Sequence, residues 1–289
     1  MSMKPAHAQL RAELRAGAGM LMPGAGNALA ARFIERAGFR SLMVSGAAVA
    51  NSYLGMPDIG LVSVTELAQH VAAVREAVSL PILADADTGF GNALNTRRTV
   101  QLLERAGANA IMLEDQTYPK RCGHFDGKGV VSTQEMVSKI KAAVDARQDD
   151  GLMILARTDS RAVEGFEAAL DRARAYKAAG ADFLFVEAPL TREELLAIPR
   201  EVPGIHMCNM VIGGKTPLLP REELAAAGYA AICYANAALQ ASMLAMERVL
   251  GHLHQHGSIE GAEDQLMMFA ERQQVLDGAG FKALEQRYA

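Results

Sequence analysis

Eight short runs of apolar, β-prone residues recur along the chain, at 19–22, 42–44, 81–84, 110–113, 152–156, 183–186, 205–208 and 231–234. Between them lie segments whose apolar residues fall three and four apart, among them 27–37, 64–78, 95–106, 133–146, 164–179 and 221–227. That spacing predicts amphipathic helices. Regular alternation of strand and helix predicts a parallel sheet. Four helical segments end in Ala-Gly, at Gly38, Gly107, Gly180 and Gly228, and glycine there tolerates a left-handed C-cap before the next strand. Eight units between residues 19 and 234 suit a closed (β/α)8 TIM-type barrel. An open doubly wound sheet usually has fewer strands and a phosphate-binding glycine fingerprint near its start. PGAGNALA at 23–30 lacks the full spacing of that fingerprint, so nucleotide binding is not read into it.

No low-complexity linker interrupts the pattern. The expectation is one α/β domain over residues 1–289, with the barrel at about 18–250 and a C-terminal helical extension at about 251–289. Breaks are expected at Gly251, Gly257 and Gly278. Such a tail must bury Leu266, Met267, Met268 and Phe269 somewhere, and exchange with a neighbouring subunit is expected to do so.

With 50% hydrophobic and 21% charged residues, a substantial core is available. A net charge of −4 and the absence of a dense Lys/Arg block point away from nucleic acid and anionic membranes. No stretch approaches ~18 uninterrupted apolar residues, and the charged N-terminus carries no apolar core of signal-peptide length. A cytoplasmic protein acting on a small molecule is expected. Three cysteines without a CxxC spacing argue against a disulfide framework or a structural zinc site.

Functional side chains of a barrel gather where strands end. Ser45 follows the second run, Asp85 and Asp87 the third, Glu114 and Asp115 the fourth, Arg157 and Asp159 the fifth, Glu187 the sixth and Asn209 the seventh. Any single one reads as a helix cap or a satisfied ion pair; together they read as a site. Asp85 and Asp87 are two apart, so in extended structure both point the same way, and Glu114 on the neighbouring strand can reach the same point. Three such carboxylates repel unless a cation or protons intervene. All-oxygen ligands without histidine favour Mg2+ or Mn2+ over zinc.

Loop 116–128 is too polar and glycine-rich for a core and reads as a mobile lid. Within it Cys122 is flanked by Lys120, Arg121 and His124, positive charge that favours a thiolate. Cys208 and Cys233 lie in strand runs and read as packing residues. His252, His254 and His256 alternate, which on a helix turns His254 away from the others and suits a solvated helix end better than a metal site.

At 85–91, DADTGFG, and 120–124, KRCGH, the sequence resembles the isocitrate lyase and phosphoenolpyruvate mutase superfamily. The likeness covers nearly the whole chain, including Ser45-Gly46, LGMPD at 54–58, EDQ at 114–116, ARTD at 156–159, Asn209 and GGKTP at 213–217. It implies that Asp85 ligates Mg2+ directly, with Asp87 and Glu114 holding it directly or through waters. It further implies that Ser45, Gly46 and Ala47 bind a substrate carboxylate and that Arg157 binds substrate oxygens. Cys122 becomes the acid or base that exchanges a proton with the carbon of an enolate-like product, in the catalytic company of Asp58, Lys120 and His124. Gly123, Glu187 and Asn209 complete the pocket, and the assembly implied is a homotetramer.

Mutases and decarboxylase-like members of the superfamily usually lack the cysteine motif, which favours carbon–carbon lyases and the related oxaloacetate hydrolases. Isocitrate and methylisocitrate lyases typically carry a tyrosine before the Ser-Gly pair and an arginine after the eighth strand. Here Met43 takes the first position, and no arginine occurs between Tyr234 and Glu247. An unpaired third carboxylate would be costly. With its tail at 269–272 and 281–288, the chain looks like the group of 2,3-dimethylmalate lyase and petal death protein. The expected reaction is Mg2+-dependent cleavage of a 2-alkylmalate-like dicarboxylate to a 2-oxo acid, pyruvate, and a monocarboxylate. The alternatives are an oxaloacetate hydrolase or decarboxylase, a methylisocitrate lyase and a non-catalytic metabolite-binding barrel.

Overall fold

In the computed structural model, which describes residues 5–289, each apolar run is a strand. The strands are β1 (Met20–Ala25), β2 (Leu42–Val44), β3 (Ile82–Asp85), β4 (Ala110–Glu114), β5 (Met153–Thr158), β6 (Phe183–Val186), β7 (His206–Asn209) and β8 (Tyr229–Tyr234). All neighbours pair in parallel and β1 closes on β8, so the sheet is a barrel without an edge strand. After α1 (Pro5–Ala16), the surrounding helices are α2 (Ala28–Arg36), the short α3 (Gly46–Val49), α4 (Val64–Ala77), α5 (Ala93–Ala106), α6 (Thr133–Ala146), α7 (Phe166–Ala178), α8 (Arg192–Glu201) and α9 (Arg221–Ala227). The four expected glycines all adopt positive φ, from +85° at Gly38 to +108° at Gly180.

Helix α4 shows how local sequence builds an element. Ser63 and Glu66 form a reciprocal capping box at its start. Leu67, Val71 and Val74 then fall on one face and are buried, each burial stabilising by roughly 1.5–3 kcal/mol. Strand side chains alternate in the same spirit. Met43 points into the barrel, where it meets Met22, Met112, Met207 and Cys233, while Leu42 and Val44 join the outer core against the helices.

The run pattern does not anticipate α1, which plugs the barrel end where the strands begin. Leu10 and Leu14 join the interior core. His7 Nδ1 lies 3.0 Å from Asp149 and Arg11 Nη2 lies 3.4 Å from Asp182, residues just ahead of β5 and β6. The first four residues of the charged N-terminal stretch lie outside the described residues. With that end stopped, the opposite rim is the open one. Among the described residues no helix is long and apolar enough to cross a membrane.

Beyond the barrel come α10 (Ala237–His256), α11 (Phe269–Val275) and α12 (Gly278–Tyr288). Gly251, expected to break the chain, lies inside α10, since one glycine costs only about 1 kcal/mol in a long helix. Gly257 ends it at φ +68°. No residue of α10 is buried, and Leu266, Met267, Met268 and Phe269 are all exposed. Between α2 and the start of α10 runs an apolar groove of about 710 Å³, lined by Leu21, Leu29, Phe33, Phe39, Tyr234 and Leu239.

Candidate active site

Strand ends deliver the polar side chains to the open rim. Asp85 ends β3, Glu114 ends β4, Arg157 is next to last in β5, Glu187 follows β6 and Asn209 ends β7. Ser45 caps α3 through Oγ, which accepts from the Ala48 N–H at 3.3 Å. The Gly46 N–H donates to Asp85 Oδ2 at 3.1 Å. A Cβ on Gly46 would stand 3.1 Å from both Asp85 Oδ2 and Asp87 Oδ1. The missing side chain is what lets two carboxylates converge there.

They converge differently from expectation. Strand β3 stops at Asp85, and Asp87 lies beyond it with φ +47°, so the two do not share a strand face. A left-handed residue is uncommon outside glycine, though aspartate tolerates it better than most. The turn brings the Asp87 carboxylate over, with its carbonyl accepting from Glu114 N–H at 2.9 Å.

Three cations lie among these acids. Lys120 Nζ is 2.5 Å from Asp58 Oδ1 and 2.8 Å from Asp87 Oδ1. Arg157, paired with Glu114 in the β4–β5 register, approaches Glu114 at 3.1 Å, Asp159 at 2.9 Å and Glu187 at 3.3 Å. Lys128 Nζ is 2.7 Å from Asp159 Oδ1. Asp58, Asp85, Asp87, Glu114, Asp159 and Glu187 therefore outnumber Lys120, Lys128 and Arg157 by six to three.

The titration behaviour follows from that surplus. Burial pushes the Asp87 carboxyl up to about 7, with Asp85 and Asp58 adding to the rise and Lys120 opposing it. Burial also raises Glu114 well above the usual carboxylate range, against the pull of Arg157. Burial alone would lower Lys120 and Arg157, but the surrounding carboxylates hold both well above their ordinary values.

Glu114 Oε1 is buried without a hydrogen-bond partner, while Asp87 Oδ1 meets only the Lys120 ammonium at 2.8 Å and Glu187 Oε1 only His124 Nε2 at 3.4 Å. Among the described residues no three His, Cys, Asp or Glu side chains are spaced to hold a metal by themselves. Lys120 and Arg157 instead lie against Asp87 and Glu114. Mg2+ commonly takes one or two carboxylates and keeps several waters. The surplus negative charge and the unpartnered Glu114 oxygen fit such an ion beside Asp85, Asp87 and Glu114.

The loop at 116–128 folds over this rim. The Gln116 side-chain amide donates to Arg121 O at 2.8 Å and accepts from the Arg121 N–H at 3.0 Å, and the Cys122 N–H donates to Asp58 O at 3.1 Å. His124 Nδ1 accepts from the Lys215 N–H at 3.0 Å, tying the lid to the loop after β7. That bond leaves the ring proton on Nε2, 3.4 Å from Glu187 Oε1, and burial lowers the His124 pKa. With the loop in this position the pocket is narrow, with about 30 Å³ open to water-sized molecules.

The expectation of a favoured thiolate at Cys122 is overturned. Burial raises its pKa, and Asp58 and Glu187 add to the rise, against a backbone hydrogen bond at His124 and the charge of Arg157. Its neighbours in sequence are not its neighbours in space: the Lys120 ammonium faces Asp58 and Asp87, and Arg121 is exposed.

One pocket is lined by Ser45, Ala47, Asp58, Asp85, Cys122, Gly123, His124, Arg157, Glu187 and Asn209. An adjoining hollow adds Gly46 and Asp87, while Lys120 and Glu114 reach the cluster through their ion pairs. Met43, Met112, Phe185, Met207 and Cys233 line its apolar floor, so Cys233 packs and borders the site at once. Sequence reasoning gave no role to Lys128 or Asn236. Lys128 carried a weak signal as a lysine in a lid, and Asn236 carried none. Asp115 lies at the rim in sequence, yet its buried carboxylate binds Thr158, Tyr176 and Arg172 instead. His252 and His256 lie with ring centroids 4.5 Å apart on α10, and neither lines the pocket.

Fold and rim chemistry together define a (β/α)8 barrel whose polar, acid-rich pocket lies at the strand ends beneath the 116–128 loop. The sequence profile of the phosphoenolpyruvate phosphomutase family matches residues 10–254. The chain is 43% identical over 270 residues to 2,3-dimethylmalate lyase of Eubacterium barkeri, covering 93% of each chain. It is also 43% identical over 270 residues to 2-methylisocitrate lyase of Aeropyrum pernix, covering 93% of this chain and 86% of that one. Oxaloacetate acetylhydrolase bound to 3,3-difluorooxalacetate superposes with a TM-score of 0.93 at 28% identity, covering 99% and 98% of the two chains. The chain belongs to the phosphoenolpyruvate mutase/isocitrate lyase superfamily, and within it is a lyase.

Proposed function

We propose that this lyase cleaves the C2–C3 bond of a 2-alkylmalate such as 2,3-dimethylmalate, yielding pyruvate and a monocarboxylate. The observation that carries the reading is the half-buried thiol of Cys122, its pKa raised by desolvation, in one pocket with Asp58, Asp85 and Arg157. Ser45, Gly46 and Ala47 bind the C1 carboxylate, and Arg157 binds substrate oxygens. Asp85 would hold Mg2+, with Asp87 and Glu114 acting directly or through waters. When bound, the ion stabilises negative charge on the 2-oxygen and the C1 carboxylate. Asp58, positioned by Lys120, takes the proton of the 2-hydroxyl. The C2–C3 electron pair then passes to C3, where the adjoining carboxylate spreads it, and the Cys122 thiol delivers its proton to that carbon. A raised thiol pKa suits an acid. The closed lid keeps water from the carbanion.

Arg157 is the guanidinium of this pocket, and Glu114, Asp159 and Glu187 already engage it. Among the described residues no second guanidinium or ammonium lines this pocket, which disfavours a third carboxylate and hence methylisocitrate. The likeness to oxaloacetate acetylhydrolase supports oxaloacetate hydrolysis as the second reading. NMR of Mg2+-supplemented reactions with 2,3-dimethylmalate, malate, methylisocitrate and oxaloacetate separates these readings. Pyruvate and propionate from 2,3-dimethylmalate are expected. Oxalate and acetate from oxaloacetate, with 2,3-dimethylmalate intact, overturn the lyase assignment. Cys122→Ala should lower turnover by about 10²-fold or more while Mg2+-dependent ligand binding persists; unchanged turnover removes the thiol from the mechanism.

The reading extends to a homotetramer in which subunits exchange α10. The groove beside α2 is apolar, and α10 presents Met243, Met246, Leu250 and Leu253 with nothing over them. Sedimentation should show an oligomer that Leu250→Asp weakens, and a monomeric parent protein overturns the exchange.

A further inference from the structure

We propose that Asn236 is a specificity-determining residue that, with Asn209, holds the second carboxylate of the substrate through neutral amide hydrogen bonds. The proposal rests on the dicarboxylate reading above. Asn236 occupies the N-cap position of α10, where an asparagine side chain ordinarily accepts from a backbone N–H of the first turn. Here the side chain caps nothing. Its Oδ1 is buried without a hydrogen-bond partner, and the residue lines the pocket that holds Cys122. A buried amide oxygen left unpaired is destabilising, and a substrate carboxylate, which only accepts, relieves it once the amide turns its N–H groups to the pocket.

Asn209 supports the same assignment. Its Oδ1 accepts from the Ala235 N–H at 3.4 Å, which commits the carbonyl to the backbone and leaves the amide N–H groups as donors at the pocket wall. The oxygen and nitrogen of an asparagine amide are nearly interchangeable in shape, so a half-turn of Asn236 presents N–H groups beside them. The two residues follow or end β7 and β8, a different sector of the rim from Ser45 and Asp85 on β2 and β3.

Their surroundings set the selectivity. Met207, Val211, Cys233 and Ala235 make the adjacent wall apolar. The nearby loop lysine, Lys215, has its ammonium on Asp126 at 2.5 Å. Two amides can donate to one carboxylate in such a wall. They cannot neutralise an additional one, so this sector admits a compact dicarboxylate with an alkyl substituent.

Calorimetry with Mg2+ in the Cys122→Ala background, using oxalate, malate, oxaloacetate and 2,3-dimethylmalate as probes, tests this. Asn236→Ala should weaken the four-carbon backbones by about ten-fold or more, the loss of a hydrogen bond to a charged group. Oxalate, which spans only the C1–C2 end, should bind as before. The melting temperature should not fall, because the side chain makes no hydrogen bond in the free protein. Asn236→Asp should weaken the same ligands further through repulsion. Equal losses for oxalate and the longer acids, no loss for any, or binding of oxalate alone by the parent protein overturns the proposal. If 2,3-dimethylmalate alone fails to bind, the lyase reading falls, while malate and oxaloacetate against oxalate still decide the role of Asn236.

Discussion

Replacing Asp115 by alanine removes a carboxylate that props the catalytic rim from behind. Its Oδ2 accepts from Thr158 Oγ1 at 2.7 Å, Tyr176 OH at 2.7 Å and Arg172 Nη1 at 3.2 Å, and its Oδ1 accepts from the Asp159 N–H at 2.8 Å. Two of those donors keep other partners. Thr158 retains Ser160 Oγ at 2.8 Å, and Arg172 retains Glu164 at 2.7 and 2.9 Å and Val131 O at 2.8 Å. The Asp159 N–H and the Tyr176 O–H lose their acceptor outright. At about 1–3 kcal/mol for each orphaned buried group, with a broken buried ion pair at about 3–5, we expect Asp115→Ala to cost about 3–5 kcal/mol. Burial already raises the Asp115 pKa, so part of the carboxylate's own desolvation cost is recovered and the simple sum is not reached. Urea unfolding at one fixed protein concentration should show a lower midpoint with the same m value. Turnover should fall as well, because Asp159 carries both Arg157 and Lys128. A loss below about 1 kcal/mol refutes the claim that this carboxylate braces the site.

A methyl group at Gly123 would stand 2.5 Å from Arg157 Nη2 and 2.6 Å from Glu187 Cδ, two groups locked in an ion pair. Gly123→Ala should therefore lift the lid, lowering kcat/KM by about 10²-fold and admitting protease cleavage within 116–128; parent-like kcat/KM contradicts this. His206 is fully buried, with Nε2 2.5 Å from Val202 O, and burial lowers its pKa below the unfolded value of about 6.5. The folded state thus stays neutral while the unfolded chain binds a proton. The associated stability is present above pH 6.5 and is lost on acidification, by up to about 1.4 kcal/mol per pH unit. His206→Gln should flatten this part of the pH–stability curve, and parallel curves speak against it. Mg2+ at 100 times its Kd should raise stability by about 2.7 kcal/mol, an increment that Asp85→Asn should remove. No rise in the parent protein rejects the cation site.

The barrel was legible because its signals are local. Alternation of apolar runs with helix-period segments located all eight strands to within a few residues, and β7 differs by one position at each end. Helix α1 was not legible: Leu10 and Leu14 are apolar four residues apart, but nothing local says that they stop a barrel. The rim residues could be listed because barrels place functional side chains at strand ends. Their partners could not, since Lys120 meets Asp58 from 62 residues away and Lys128 meets Asp159 from 31.

Covalent order and side-chain periodicity determine which residues enter strands, which end them and which family pattern they form. The strand count, the acid-rich rim, the cysteine loop and superfamily membership were therefore fixed by the chain itself. Only the folded protein decided that Asp87 reaches the site by a left-handed turn, that desolvation raises the Cys122 pKa, and that Asn236 lines the pocket uncapped. Those outcomes depend on burial and on through-space charge, and both are set by segments that meet only when the barrel closes.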